Sequence, residues 1–422
     1  MYSYVDSYGL AIGILSFFFA APFVYYLLQK YHLNRKSILK ISLLSALGHF
    51  IGAYALCYFA VTSGADSVYY FHEATLTYEG MGYHFAFLLL GYAKAYLLGE
   101  SFLGAFLISG AIAWIASTYF LLIYKILLDK ISGPNRLYEI DPKQLTYPAL
   151  LLLCWPSYFF FSPGLIKDNF AFIGIGMILF VAVRGKLTIS SLMMLAIASF
   201  FGFMVRPYLF IIFGLSAFIY LLLGSRLTLF FKIGAIGLII IITLAMLPLL
   251  SDYATMMHFS SSSVAQIGKY AVRQQQYMHV GSSIPVPTHD PIVTFLFLPY
   301  LLFCNLFLPL GIGANNSIGI ISSIENAYFL WIVVVFIRNK ALYIKLKNQY
   351  PIIKFLMIYF LFGTSCLSIM NSNLGLAMRE KMMYVPAFLI CILLTYSYKR
   401  MQLIYEYNLG LERDLAANAA IS

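Results

Sequence analysis

Carboxylates, arginines and amides recur at the short polar turns of this otherwise apolar chain, and each turn offers a defined piece of chemistry. The segment SGADSVYYFHEATLTYEGMGYH (63–84) holds Asp66 and Glu73 with Tyr69 and Tyr70. A carboxylate beside a hydroxyl accepts its proton and raises the nucleophilicity of the oxygen. Asp66 also suits the N-cap of a helix over D-S-V-Y. His72 reads as an interfacial hydrogen-bonding residue. FFFSPGLIKDNFAF sets Lys167 beside Asp168 in a very short turn. There the ammonium either holds a phosphate that Asp168 orients or forms a surface pair worth only about 0–1 kcal/mol. Arg206 stands in MVRPYLF with no acidic neighbour in sequence. Its guanidinium offers phosphate a bidentate fork that an ammonium cannot match. Lys269 and Arg273 are spaced i, i+4 and share one face of a helix, ahead of Gln274, Gln275, Gln276 and Tyr277. The plainer reading is a solvated surface helix. IMNSNLGLAMREKMMYVP gathers Asn373, Arg379, Glu380 and Lys381. Arg379 and Lys381 suit a pyrophosphate, or anchoring among lipid headgroups. Neither H-E-x-x-H nor Asp-x-Asp occurs, so no metal ligands and no cofactor are expected, with a divalent metal left open.

The elements that position these residues are membrane helices. The chain is 62% hydrophobic and 10% charged, with a mean hydropathy of +0.85. That composition excludes a soluble domain. Apolar runs long enough to cross a hydrocarbon core of roughly 30 Å recur along its length, without the alternation of a β-barrel. The expected fold is all-α, a single polytopic domain over 1–422. About eleven spans are expected, near 9–28, 41–62, 101–127, 148–163, 169–183, 187–204, 208–223, 229–250, 317–337, 351–370 and 383–398. Two further apolar stretches, 84–99 and 295–311, are expected to lie in or dip into the outer leaflet, where irregular backbone is tolerated only against protein or a wet cavity. The alternative is that one of them is an ordinary span. The five cysteines are isolated and read as small buried hydrophobes. MYSYVDSY lacks a basic region, and no cleavable signal peptide is expected.

Charge sets the orientation. Twenty of the 27 Lys and Arg fall in alternate turns and the tail, and seven on the other side: Lys94, Lys167, Arg206, Lys269, Arg273, Arg379 and Lys381. The positive-inside rule then places the N-terminus outside and the C-terminus, with a short tail over 399–422, in the cytoplasm. The longest outer segment is 251–292. The net charge of +11 is a topology signal and gives no support for nucleic-acid binding.

Three places carry a resemblance to a known group of proteins: the acidic, Tyr-rich GADSVYY; the paired turns SPGLIKD and MVRPY; and the closing pattern N-x-G-x-A-x-R-x-K-x-x-x-x-P from Asn373 to Pro386. Together they resemble O-antigen and exopolysaccharide polymerases of the Wzy type, and are also similar to lipid-phosphosugar-dependent glycosyltransferases of the GT-C class. The resemblance implies a bacterial cytoplasmic-membrane protein using a polyprenyl-linked glycan donor and a glycan acceptor at the extracytoplasmic face. Membrane lipids and other polysaccharide-assembly proteins are the implied partners. Asp66 would match the acidic residue of the first outer loop in the GT-C class, although two spans precede that loop here. Wzy-type enzymes use outer-face arginines, which map by position to Arg206, Arg273 and Arg379.

The expected activity is therefore glycosyl transfer from a polyprenyl (pyro)phosphate. Asp66, Glu73 or Asp168 is the catalytic carboxylate. Lys167, Arg206, Lys269, Arg273, Arg379, Lys381, Asn373, Tyr69 and Tyr70 bind the phosphate or the rest of the substrate. Fixed cations of this kind stabilise a departing phosphate. Transfer of a single sugar, a flippase for lipid-linked glycan and a non-catalytic assembly scaffold are the alternatives. A flippase calls for charges within the spans and for inverted repeats, which are not apparent.

Overall fold

The computed structural model describes residues 6–63, 66–78, 80–133, 141–164, 167–223, 228, 233–234, 296–311, 317–370 and 374–421. Helices are its only regular elements among these residues. The run expected at 229–250, apart from 233–234, and all of 251–295 lie outside the described residues.

α1 (Ser7–Lys30) and α2 (Lys36–Ser63) form an opening hairpin. Asp6 caps α1 by accepting from the Gly9 N–H, and its second oxygen accepts from Ser101 Oγ at 2.8 Å. α3 (Asp66–His72) and α4 (Tyr83–Ala93) follow, then a π-type turn, Lys94–Leu98. α5 (Phe102–Ser132) is apolar all round and is the most enclosed of the early helices. A helix of that pattern belongs in a core, and α1, α2 and α8 (Lys167–Arg184) all pack on it.

Where one span was expected over 148–163, the structure has two short helices, α6 (Lys143–Leu153) and α7 (Pro156–Phe161). Pro156 has no N–H and clashes with the preceding turn, so it ends one helix and starts the next. α9 (Ile189–Val205) and α10 (Pro207–Leu223) are joined through Arg206. α11 (Leu298–Phe307) is a ten-residue piece too short to cross, and so is α4 with its eleven residues. α12 (Ser317–Arg338), the polar α13 (Lys340–Gln349), α14 (Pro351–Met370) and the 48-residue α15 (Leu374–Ile421) complete the chain. α15 runs on past Lys399, so the tail expected over 399–422 continues the last span as helix through Ile421.

Among the described residues, six helices are long and apolar enough to cross a membrane: α1, α2, α5, α12, α14 and α15. The protein is a polytopic membrane protein, all-helical over its described residues. Phe18, Phe19, Leu43 and Ile324 point outward with about two thirds or more of their surface exposed, as side chains facing lipid do.

Turns expected on one side are tied to one another. Lys130 Nζ donates to the Val183 carbonyl, Tyr350 donates to the Lys130 carbonyl at 3.2 Å, and Arg400 pairs with Asp141. The backbone N–H of Lys143, then Arg400, hold the Asp141 carboxyl below its usual range. At the other end Asp6 meets Ser101 and Lys94 meets Glu100 at 3.4 Å. At about 1.5 Å per residue, Arg379 and Arg400 on α15 lie about 32 Å apart, close to one hydrocarbon thickness.

Candidate functional site

Three chain turns at one end of the bundle deliver the charged residues. Ser162, Pro163 and Gly164 follow α7, and α8 then opens on Lys167 and Asp168. A carboxylate in a first turn is favoured by the free N–H groups there. Arg206 leaves the helical region with φ −138° and ψ 67°, and Pro207 starts α10. The guanidinium therefore sits at the vertex of a turn. From α15 come Arg379, Glu380 and Lys381 in succession. Consecutive helical residues point about 100° apart, and each of these three takes a different neighbour.

Arg379 donates to Asp168 through Nε at 2.9 Å and again through Nη2. Glu380 accepts from Arg206 Nη1 at 3.1 Å and from the Tyr208 hydroxyl. Lys381 turns away, donating to Asn326 Oδ1 at 2.6 Å and to the Leu306 carbonyl at the end of α11. Arg206 also pairs with Asp168, closing a chain of alternating charge that runs Arg379, Asp168, Arg206, Glu380. The side chains of Arg206, Asp168 and Glu380 are each at most 4% exposed, whereas that of Arg379 keeps 30%. Lys167 adds a third cation, its Nζ 5.6 Å from the centre of the Tyr70 ring. Three cations against two carboxylates leave one positive charge. Among the described residues Lys167 has no carboxylate within ion-pair distance. The accessible positive charge thus lies on Arg379, with the half-buried Lys167 beside it.

Beside the cluster lies a cavity of about 460 Å³ lined by Tyr69, His72, Glu73, Thr75, Tyr83 and His84. Phe87 backs it, its ring centre 5.8 Å from that of Tyr69 and 5.6 Å from that of Tyr83. Gly91 lets the 73–77 segment lie against α4, because a Cβ there would fall 1.9 Å from the Thr75 carbonyl oxygen. The Thr75 N–H then donates to the Phe87 carbonyl at 3.2 Å.

The structure therefore brings together Lys167, Asp168, Arg206 and Arg379. It sets Tyr70 against Lys167, puts Tyr69 and Glu73 in the adjoining cavity, and holds Lys381 in a separate buried network. Asp66 begins α3, but its side chain is outside the described residues, as are Lys269, Arg273 and Asn373 entirely. Among the described residues no three of His, Cys, Asp and Glu group as a metal site.

Sequence reasoning passed over Tyr208, Asn326 and Glu325 as site residues and gave Glu380 no role. Glu325 is buried on α12, accepting from Trp155 Nε1 and the Ser157 N–H, both at 2.7 Å, and from the Ser157 hydroxyl. It is the only acidic residue in the apolar run 317–337, and an ionisable group inside a span is a signal in itself. Comparison with family models, curated proteins and solved structures gives no match to this chain.

Proposed function

We propose that the protein is a glycosyltransferase or polymerase that uses polyprenyl-(pyro)phosphate-linked sugars in surface polysaccharide assembly. It works at the extracytoplasmic face of the bacterial cytoplasmic membrane. The orientation is N-terminus outside with eleven passes. These are the six long helices, the α6–α7 pair, α8, α9, α10 and a pass near 229–250. The observation that carries the reading is the convergence of Arg379 and Lys167, from turns far apart in sequence, beside a cavity that holds a carboxylate.

In this reading Arg379 and Lys167 hold the donor phosphate. Arg206, buried between Asp168 and Glu380, is a positioning residue. Asp168 already receives hydrogen bonds from both guanidiniums, so it orients Arg379 rather than taking a proton. Glu73 has the open carboxylate. The acceptor hydroxyl oxygen bonds to the anomeric carbon, the carbon–oxygen bond to phosphate breaks, and the electron pair leaves with the phosphate. The hydroxyl proton passes to Glu73. Fixed cations stabilise the departing charge without reorganising.

The lipid-linked glycan profile of a deletion strain tests the reading. Single repeat units that accumulate mark a polymerase, and units lacking one sugar mark a monosaccharide transferase. An unchanged profile removes the proposal and leaves the scaffold. A flippase is the second reading, favoured by the burial of Glu325 and Lys381 within long helices. It predicts complete glycan stranded on the cytoplasmic side.

A further inference from the structure

The cavity between α3 and α4 has a chemistry different from that of the charged cluster beside it. Its rings, Tyr69 and Tyr83 with Phe87 behind, offer apolar faces. Its rim offers the Glu73 carboxylate, the Thr75 hydroxyl and the imidazoles of His72 and His84. A pyranose presents the matching pair of surfaces, an apolar C–H face and an edge of hydroxyls that both donate and accept. About 460 Å³ lies within the range of roughly 300–1,000 Å³ usual for small-molecule sites.

Glu73 is the one formally charged residue among the lining residues. A like charge placed beside it is repelled, so the cavity selects against uronic acids, sialic acids and phosphosugars. The cluster next to it prefers an anion. Two ties hold these opposite preferences side by side. Tyr70, adjacent in sequence to Tyr69, meets Lys167. The Gly82 N–H, one residue before Tyr83, donates to the Met204 carbonyl at 2.7 Å, two residues before Arg206.

We infer that this cavity is the acceptor subsite and that it takes an uncharged sugar ring, with Glu73 on its hydroxyl edge and Tyr69 and Tyr83 against its face. The inference rests on the proposed glycosyl transfer and adds to it the place and charge class of the acceptor.

The test is saturation-transfer NMR on the full-length protein in lipid nanodiscs. The probes are the methyl glycosides of glucose, galactose and N-acetylglucosamine, with methyl glucuronide as the anionic control. The expected result is transfer to at least one neutral glycoside and none to the glucuronide. That signal should fall about tenfold in Glu73→Gln, because the neutral amide accepts a weaker hydrogen bond than the carboxylate. It should fall similarly in Tyr69→Ala, whose side chain is exposed and not needed by the core. Arg379→Ala should keep it. Absence of signal from every neutral glycoside, equal signal in the wild type and both cavity variants, or preference for the glucuronide would each overturn the inference. The two proposals fail separately. Neutral-sugar binding with an unchanged glycan profile in an Arg379→Ala strain would sink the transferase reading and leave the cavity. Loss of transfer in that strain without sugar binding would do the reverse.

Discussion

Asp168 and Arg206 are each at most 4% exposed and pair with one another. Removing one partner of such a pair strands the other, at a cost of about 3–5 kcal/mol. Arg206→Ala leaves buried Asp168 with Arg379 alone and takes the guanidinium from buried Glu380, so it should lower the melting temperature and the amount of protein in the membrane. Arg379→Ala, at a side chain 30% exposed, should leave the amount near wild type while abolishing function. Thermal unfolding in detergent, beside immunoblots of membranes, checks both. An Arg206→Ala protein as stable as wild type would mean that the pair is not structural. The residue types at these turns were legible in the sequence, because a lone arginine between two apolar runs needs a partner or a ligand. Its partners were not legible. Asp168 lies 38 residues from Arg206 and 211 from Arg379, and no local pattern encodes a contact at that range. For the same reason Lys381 read as a companion of Arg379, although two steps of helix turn it to a different neighbour.

At the scale of elements, the broken helices position the side chains. Pro156 interrupts an apolar run that reads as one span, and the break frees the Ser157 N–H to meet Glu325. Glu325→Leu leaves that N–H and the Trp155 indole N–H buried without an acceptor, about 1–3 kcal/mol each. Glu325→Gln keeps an acceptor. The leucine variant should therefore unfold at the lower temperature by several degrees, and equal melting of the two would contradict the hydrogen-bonded account. Gly91 has a comparable role on α4. Gly91→Ala sets a Cβ against the Thr75 carbonyl, which must move the 73–77 segment and with it Glu73. Neutral-glycoside binding should fall in this variant while membrane levels hold, as saturation transfer and immunoblots would report. Hydropathy located most of the long helices to within a few residues, because an apolar run of about 20 has few alternatives in lipid. It could not show the α6–α7 break, where proline chemistry and a distant carboxylate decide the backbone.

The whole molecule is a bundle with two unlike ends. One is tied by Lys130, Asp141 and Arg400, and the other carries the charged cluster and the cavity. Impermeant maleimide labelling reads which end faces outward. Leu76→Cys, exposed beside the cavity, should label in intact cells. Lys186→Cys, in the exposed turn between α8 and α9, should label only after permeabilisation. The native cysteines are buried or half-buried, so the unsubstituted protein is the background. The reverse pattern would turn the molecule over and place the site in the cytoplasm. Whether Arg379 and Lys167 act on a lipid-linked sugar phosphate is read from the lipid-linked glycan profile of a deletion strain complemented with Arg379→Ala or Lys167→Ala at wild-type protein level. Unprocessed lipid-linked units should accumulate in both variants as they do in the deletion and disappear with the wild-type gene. A wild-type profile in both variants, at equal protein level, would contradict that action.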